Sequence, residues 1–211
     1  MRISVIGLTG GHSGADIHLG RGNANKIMNR ILLQLSTDFG IEIASIDGGS
    51  LRNAIPRESA ATIVINSTQV TDVVLAIANT TKDLLAEYNV TDPNLDVVIA
   101  ETDMPTLVMD SAFQYQLLRA LYACPNGIYR MSPDIPGLVQ SSNNLARVLV
   151  ASGTYSIQCL TRSSVDTEKY DLAAAITSAF QLMGAQVAYS GIYPGWEPRP
   201  TSPIVKLMDT H

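Results

Sequence analysis

Apolar residues fall in short blocks whose spacing switches repeatedly between the periods of a strand and of a helix. Residues 3–8 read as a strand. Ala24, Ile27, Met28, Ile31, Leu32 and Leu35 recur at helical spacing, which predicts an amphipathic helix over 23–37 with Asn23 as its N-cap. Residues 41–46 predict a short strand that turns at Asp47-Gly48-Gly49, and residues 60–66 a β-branched strand. Val70, Val73, Val74, Ile77, Leu84 and Leu85 mark a second helix. Residues 90–94 are polar and hold a proline, hence a loop, and 95–100 return to a strand. Leu107, Val108, Tyr115, Leu118 and Tyr122 mark a third helix, ended by Pro125-Asn126-Gly127 and followed by a loop with Pro133 and Pro136. Residues 145–151 and 154–162 predict a hairpin around Ser152-Gly153. Leu172, Ala175, Ile176, Ala179, Phe180 and Met183 mark a fourth helix, with Gly184 placed to end it. Residues 186–192 read as a last strand. The four prolines from Pro194 to Pro203 predict an extended tail lying against a partner domain.

The order of elements repeats. Strand, helix, strand, strand, helix occupies about 1–90, and the same series occupies 95–192 with one strand added. The two halves share a pattern of elements and negligible sequence identity. This predicts an α+β fold in two layers, with two βαββα(β) pseudo-repeats whose mainly antiparallel sheets are covered by helices.

Composition narrows the classes. At 46% hydrophobic and 16% charged over 211 residues, the chain can bury a core and is globular. A net charge of −5 with interleaved signs argues against nucleic acid as a partner, since phosphate binding needs a basic face. No apolar run is long enough to span a bilayer, so no membrane partner is expected. The N-terminus shows no charged-then-apolar leader, and a cytoplasmic location is expected. Cys124 and Cys159 lie far apart without a metal-site or disulfide spacing, and a reduced, buried pair is expected.

Three stretches carry candidate chemistry. The first is Gly7-Leu8-Thr9-Gly10-Gly11-His12-Ser13-Gly14 with Gly20-Arg21-Gly22-Asn23-Ala24-Asn25-Lys26. The second is residues 48–58, which include Arg52-Asn53-Ala54-Ile55-Pro56, and the third is residues 191–198, which include Tyr193 and Trp196. A histidine on a strand-to-helix loop is poised to meet a ligand, and equally can be an exposed turn residue. Familiar templates fail. Ser13 lacks the Gly-x-Ser-x-Gly context of a nucleophile elbow. Asn25 stands where a dinucleotide fingerprint needs its third glycine, and Lys26 is followed by Ile27, not by Ser or Thr. His12 and His18 are too far apart for a metal pair on one helix face, and the carboxylates form no cluster legible in sequence.

Together the three stretches resemble the bacterial aminoacyl-histidine dipeptidases, carnosinase-like members of the dinuclear-zinc exopeptidase superfamily. The resemblance covers essentially the whole chain but only the lid (dimerisation) domain of such an enzyme. It implies that 1–201 is this lid and that 202–211 begin the return to an absent catalytic domain. The two zinc or other divalent ions would sit in that catalytic domain, with no metal or other cofactor in this chain. The implied partners are the catalytic domain, a dipeptide substrate and a second copy in a homodimer. His12 is implied to stabilise the oxyanion of the transition state, Arg162 to bind the substrate's terminal carboxylate, and Asn53 to assist in binding. Each also has a plain reading: an exposed loop histidine, a solvated strand-end arginine, a turn-holding asparagine. Trp196 is left between packing anchor and substrate contact. The fragment by itself is expected to be inactive. The rivals are a free-standing binding or oligomerisation module of α+β type and a self-contained hydrolase around His12.

One further expectation concerns the halves. The first holds His12 and Asn53. The second holds Arg162, where the first has Asn66, and its loop after Ala100 has no histidine. This predicts a pseudo-dimer within one chain, with His12, Asn53 and Arg162 facing one side.

Overall fold

The structure is a computed structural model and describes residues 1–195; Trp196 and the 202–211 segment lie outside the described residues. Nine strands form. They are β1 (Arg2–Ile6), β2 (Gly11–His12), β3 (Glu42–Gly48), β4 (Ala54–Ile55), β5 (Ser59–Val64), β6 (Asp96–Ala100), β7 (Gly127–Met131), β8 (Val139–Ala151) and β9 (Thr154–Ser163). Four α-helices accompany them: α1 (Ala24–Phe39), α2 (Val70–Tyr88), α3 (Ser111–Ala123) and α4 (Asp166–Gln181). The main sheet runs β6-β1-β5-β3-β8-β9, antiparallel throughout, with β7 pairing the N-terminal half of β8. Successive side chains on a strand point to opposite faces, so Ile3 and Val5 of β1 and Ala61 and Ile63 of β5 are buried on the same side. The helices cover that side, α2 against α1, α1 against α3, α3 against α4. One continuous core joins Ile27, Ile31, Leu32 and Leu35 of α1 to Leu117, Leu118 and Leu121 of α3 and to Leu172 and Ile176 of α4. The two-layer α+β fold with a mainly antiparallel sheet is therefore as expected.

Several strands differ from the sequence reading: β2, β4 and β7 have no counterpart in it, and β8 begins at Val139, ahead of the expected 145. Residues 95–100 do not open a second repeat; as β6 they pair with β1, Ile3 opposite Ile99 and Val5 opposite Val97. A strand between two helices can serve either neighbour, and the chain leaving α2 meets the free edge of β1 first. The first unit, β1-α1-β3-β5-α2-β6, is thus a complete βαββαβ unit ordered β6-β1-β5-β3. Residues 186–192 form no strand. The second unit is α3-β8-β9-α4 with the short β7, and β9 has no partner strand on its outer side among the described residues. The two units meet where β3 pairs β8, Ile46 opposite Val150 and Gly48 opposite Val148.

A cluster of asparagines occupies this junction. The side-chain oxygen of Asn23 accepts from the N–H groups of Asn25 and Lys26, capping α1 as predicted. Its amide donates to Asn126 Oδ1 (2.9 Å) and to the Leu145 carbonyl (3.1 Å), tying α1 to β8. Asn25 donates to the same carbonyl (3.1 Å), and Asn126 Oδ1 accepts from the Leu145 N–H (2.9 Å). Gly49, at φ 72°, is required here, because a β-carbon would stand 1.9 Å from the Ala146 carbonyl oxygen. Cys124 at the end of α3 and Cys159 on β9 are free thiols with sulfurs 3.8 Å apart. The hydrogen bond between them, with burial, pushes the Cys124 thiol up.

Asn23 combines a cap with a cross-unit bond, so two substitutions separate its roles. Asn23→Ser keeps a capping oxygen and loses the amide donors; it is expected to cost about 1–2 kcal/mol. Asn23→Ala loses both functions and is expected to cost roughly 2–4 kcal/mol. Urea denaturation of the chain measures both midpoints, and the order wild type, Ser, Ala is the expected result.

Candidate functional site

The loop from β1 to α1 is held in place by a second, two-stranded sheet. β2 pairs β4, His12 opposite Ala54, and the Ser13 N–H donates to the Asn53 carbonyl at 2.8 Å. β4 in turn hangs from β8. The Asn144 amide, fully buried, donates to the carbonyls of Arg52 (3.1 Å) and Ala54 (2.8 Å). Loops that carry function need such a rigid support.

The His12 side chain is oriented by its own turn. The Asp16 carboxylate accepts from the His12 N–H, and the Asp16 N–H donates to the His12 carbonyl, both at 2.8 Å. The ring nitrogen Nδ1 accepts from the N–H groups of Gly14 (3.2 Å) and Ala15 (3.1 Å). A neutral imidazole whose Nδ1 accepts carries its proton on Nε2. His12 therefore offers Nε2–H as a donor.

Arg162 approaches from the other unit. It lies on β9 opposite Ser142 of β8 and is half-buried. Its Nη1 donates to the Tyr193 hydroxyl at 3.0 Å. Its Nε is buried and has no hydrogen-bond partner among the described residues. Arg162 and His12 meet across Gly14: a β-carbon there would lie 3.1 Å from His12 Cε1 and 3.2 Å from Arg162 Nε. Two side chains 150 positions apart in sequence are separated only by the bare face of a glycine.

The cleft beside them has a volume of about 1080 Å³. Its walls are β9, one side of α4, residues 185–193 and the pair His12 and Arg162. Arg52 lines it too, with its Nη1 donating to Ser190 Oγ at 3.0 Å. Neither Arg52 nor Arg162 has an acidic partner among the described residues, whereas Lys169 is paired with Asp166. That bond, with one from the Gly195 N–H, holds the Asp166 carboxyl below its ordinary range. The site thus presents unneutralised guanidinium on a chain whose net charge is −5, a setting suited to an anion. Asn53 is beside His12 through its backbone, but its exposed side chain makes no hydrogen bond among the described residues and does not line the cleft. Among the described residues no group of three or more His, Cys, Asp or Glu side chains could hold a metal ion. Sequence reasoning missed Gly14 as the spacer and Tyr193 as the partner of Arg162, although both stand in the glycine-rich stretches it singled out.

The fold resembles that of a solved peptidase. Residues 3–92 match the family model of the peptidase dimerisation domain. The chain is also 35% identical over 208 residues to the cytosol non-specific dipeptidase of Escherichia coli (strain K12), covering 98% of this chain and 43% of that protein. In the solved aminoacylhistidine dipeptidase from Vibrio alginolyticus, the match has a TM-score of 0.94 at 34% identity, over 98% of this chain and 42% of that one. The chain spans less than half the length of either relative.

Two measurements probe the site geometry. ¹⁵N shifts of the neutral imidazole are expected to show His12 protonated on Nε2; a proton on Nδ1 contradicts the turn described above. Gly14→Val is expected to leave the unfolding free energy within about 1 kcal/mol, as surface substitutions do, while displacing both side chains and shifting the His12 resonances.

Proposed function

We propose that the chain is the substrate-closing lid of a metal-dependent, cytosolic dipeptidase that hydrolyses aminoacyl-histidine dipeptides. The observation that carries this reading is the meeting of His12 and Arg162 at Gly14, one donor from each unit. His12 Nε2–H is the donor for the oxyanion that develops on the scissile carbonyl, where a preorganised hydrogen bond lowers the barrier. Arg162 takes the substrate's terminal carboxylate, for which a planar guanidinium with two parallel donors is suited. Asn53 assists in binding through its backbone, whose carbonyl accepts from the Ser13 N–H beside His12. Two zinc or other divalent ions belong to the catalytic domain, where they supply Lewis-acid chemistry when bound. The described residues of this chain provide no ligand set for them and act on substrate orientation and charge.

The pairing of β3 with β8 gives the reading its geometry. The hairpins β3–β5 and β8–β9 flank that contact, with α1 and α3 side by side over it. The first unit brings His12 and the second Arg162, so a single chain assembles both donors. The two units therefore act as a pseudo-dimer, and a homodimer of whole chains is an additional assembly.

In the full-length enzyme, His12→Ala is expected to lower kcat roughly 100-fold or more, the scale for losing one oxyanion donor. Arg162→Ala is expected mainly to raise KM, since a carboxylate contact made alike in ground and transition states affects binding. An unchanged kcat for the first, or an unchanged KM for the second, removes that residue from its role. The 211-residue chain alone, assayed with added zinc or manganese, is expected to hydrolyse no dipeptide. Metal-dependent turnover that His12→Ala abolishes would establish the opposite.

A further inference from the structure

Residues 185–195 carry no regular structure, yet their path is fixed by α4. The Ala185 N–H donates to the Phe180 carbonyl (3.2 Å). The Tyr189 hydroxyl bonds Thr177 Oγ1 at 2.5 Å and donates to the Ala173 carbonyl at 3.4 Å. The Tyr193 carbonyl accepts from Lys169 Nζ (2.7 Å), and the Gly195 N–H donates to Asp166 Oδ1 (2.8 Å). The partners on α4 descend from 180 to 166 while the segment ascends from 185 to 195. It is an antiparallel strap along the helix. Gly195 is needed at its end, because a β-carbon there would be 2.7 Å from the Ser164 carbonyl oxygen.

The strap places one hydroxyl on the site. Tyr193 accepts from Arg162 Nη1, and its main chain is clamped on both sides by the Lys169–Asp166 pair. A guanidinium has two edges that can grip a carboxylate at two points. With Nη1 engaged, the edge formed by Nε and Nη2 remains. Nε is buried and without a partner among the described residues, and it lies beside Gly14, where a β-carbon would stand 3.2 Å from it and 3.1 Å from His12 Cε1. A buried charged donor left unbonded is costly, and a substrate carboxylate would satisfy it.

We propose that Tyr193 is a positioning residue for Arg162. Its hydroxyl holds Nη1 so that the Nε–Nη2 edge is presented to a carboxylate next to the Nε2–H of His12. This rests on the carboxylate-binding role proposed for Arg162. The strap makes the position of that edge depend on α4, through Lys169 and Asp166.

The test is steady-state kinetics on the full-length enzyme with a dipeptide and with the same dipeptide as its C-terminal amide. Tyr193→Phe keeps the ring and the carbonyl bond to Lys169, so the strap stays seated, as an unchanged thermal midpoint verifies. It is expected to raise KM for the dipeptide roughly 3–10-fold with kcat within about twofold, the scale of one hydrogen bond to a charged group. For the amide, KM is expected to be the same in Tyr193→Phe and wild type. In an Arg162→Ala background, Tyr193→Phe is expected to add nothing. A normal dipeptide KM in Tyr193→Phe, with KM raised in Arg162→Ala, overturns the role of Tyr193 and leaves that of Arg162 standing. An equal rise for the amide assigns Tyr193 a structural role and overturns the proposal. A normal KM in Arg162→Ala overturns the carboxylate reading itself, and the role of Tyr193 with it.

Discussion

The short antiparallel contact between β3 and β8 is the constraint on which the rest depends. It is formed by few residues, Ile46 to Gly48 against Val148 to Val150, and ordinary sheet hydrogen bonds alone would hold it weakly. Three additions reinforce it. Arg147 pairs with Asp47 across the contact. Leu172 and Ile176 of α4 and the leucines of α3 extend the core of α1 without a break. The asparagine cluster of Asn23, Asn25, Asn126 and Asn144 then satisfies backbone groups that an irregular β8 would otherwise bury unpaired. The cluster is not fully satisfied, since the buried Asn25 Oδ1 has no partner among the described residues; its remaining bonds fix one arrangement in preference to others.

From that contact both sides of the site follow. β8 is the shared beam. On one edge Asn144 suspends the β4 segment, which pairs with β2 and sets the position of His12. On the other edge β9 pairs with β8 from Ser141 to Ala151 and carries Arg162. The distance between the two side chains is therefore set by the width of a strand and the absence of a side chain at Gly14, not by any direct bond between them. The register shift on β8 between Leu145 and Arg147 lies close to the point of suspension. Such bulges re-aim side chains where pairing would otherwise be uniform.

Periodicity in the sequence revealed the helices and the amphipathic strands, because their apolar residues alternate or recur at fixed spacing. It failed for the N-terminal half of β8. Gln140, Ser141, Ser142, Asn143 and Asn144 are polar and yet buried, so no apolar period exists to be read. Their burial depends on partners from distant positions, such as Pro125, Thr161 and Glu168. Val187 and Ile192 suggested a strand over 186–192, but the polar groups of this segment found partners on α4 and at Arg52 before any strand edge. His12, Asn53 and Arg162 were singled out through their glycine-rich or hairpin contexts. That His12 and Arg162 share one gap, and that the Asn53 side chain lies outside the cleft, are facts of the tertiary packing.

The main sheet is closed by non-local pairings, and this has a kinetic consequence. Within the first unit only the hairpin of β3 and β5 joins segments close along the chain, whereas β1 sets Arg2 opposite Thr62 of β5 and Ala100 of β6. The β3–β8 contact closes a loop of 100 residues, as the Arg147–Asp47 pair marks. Closing so long a loop requires ordering before the contacts can reward it, and non-local pairings of this type are slow steps. His12 and Arg162 approach each other only once β8 has found the edge of β3, so acquisition of the paired site reports the closure of that loop.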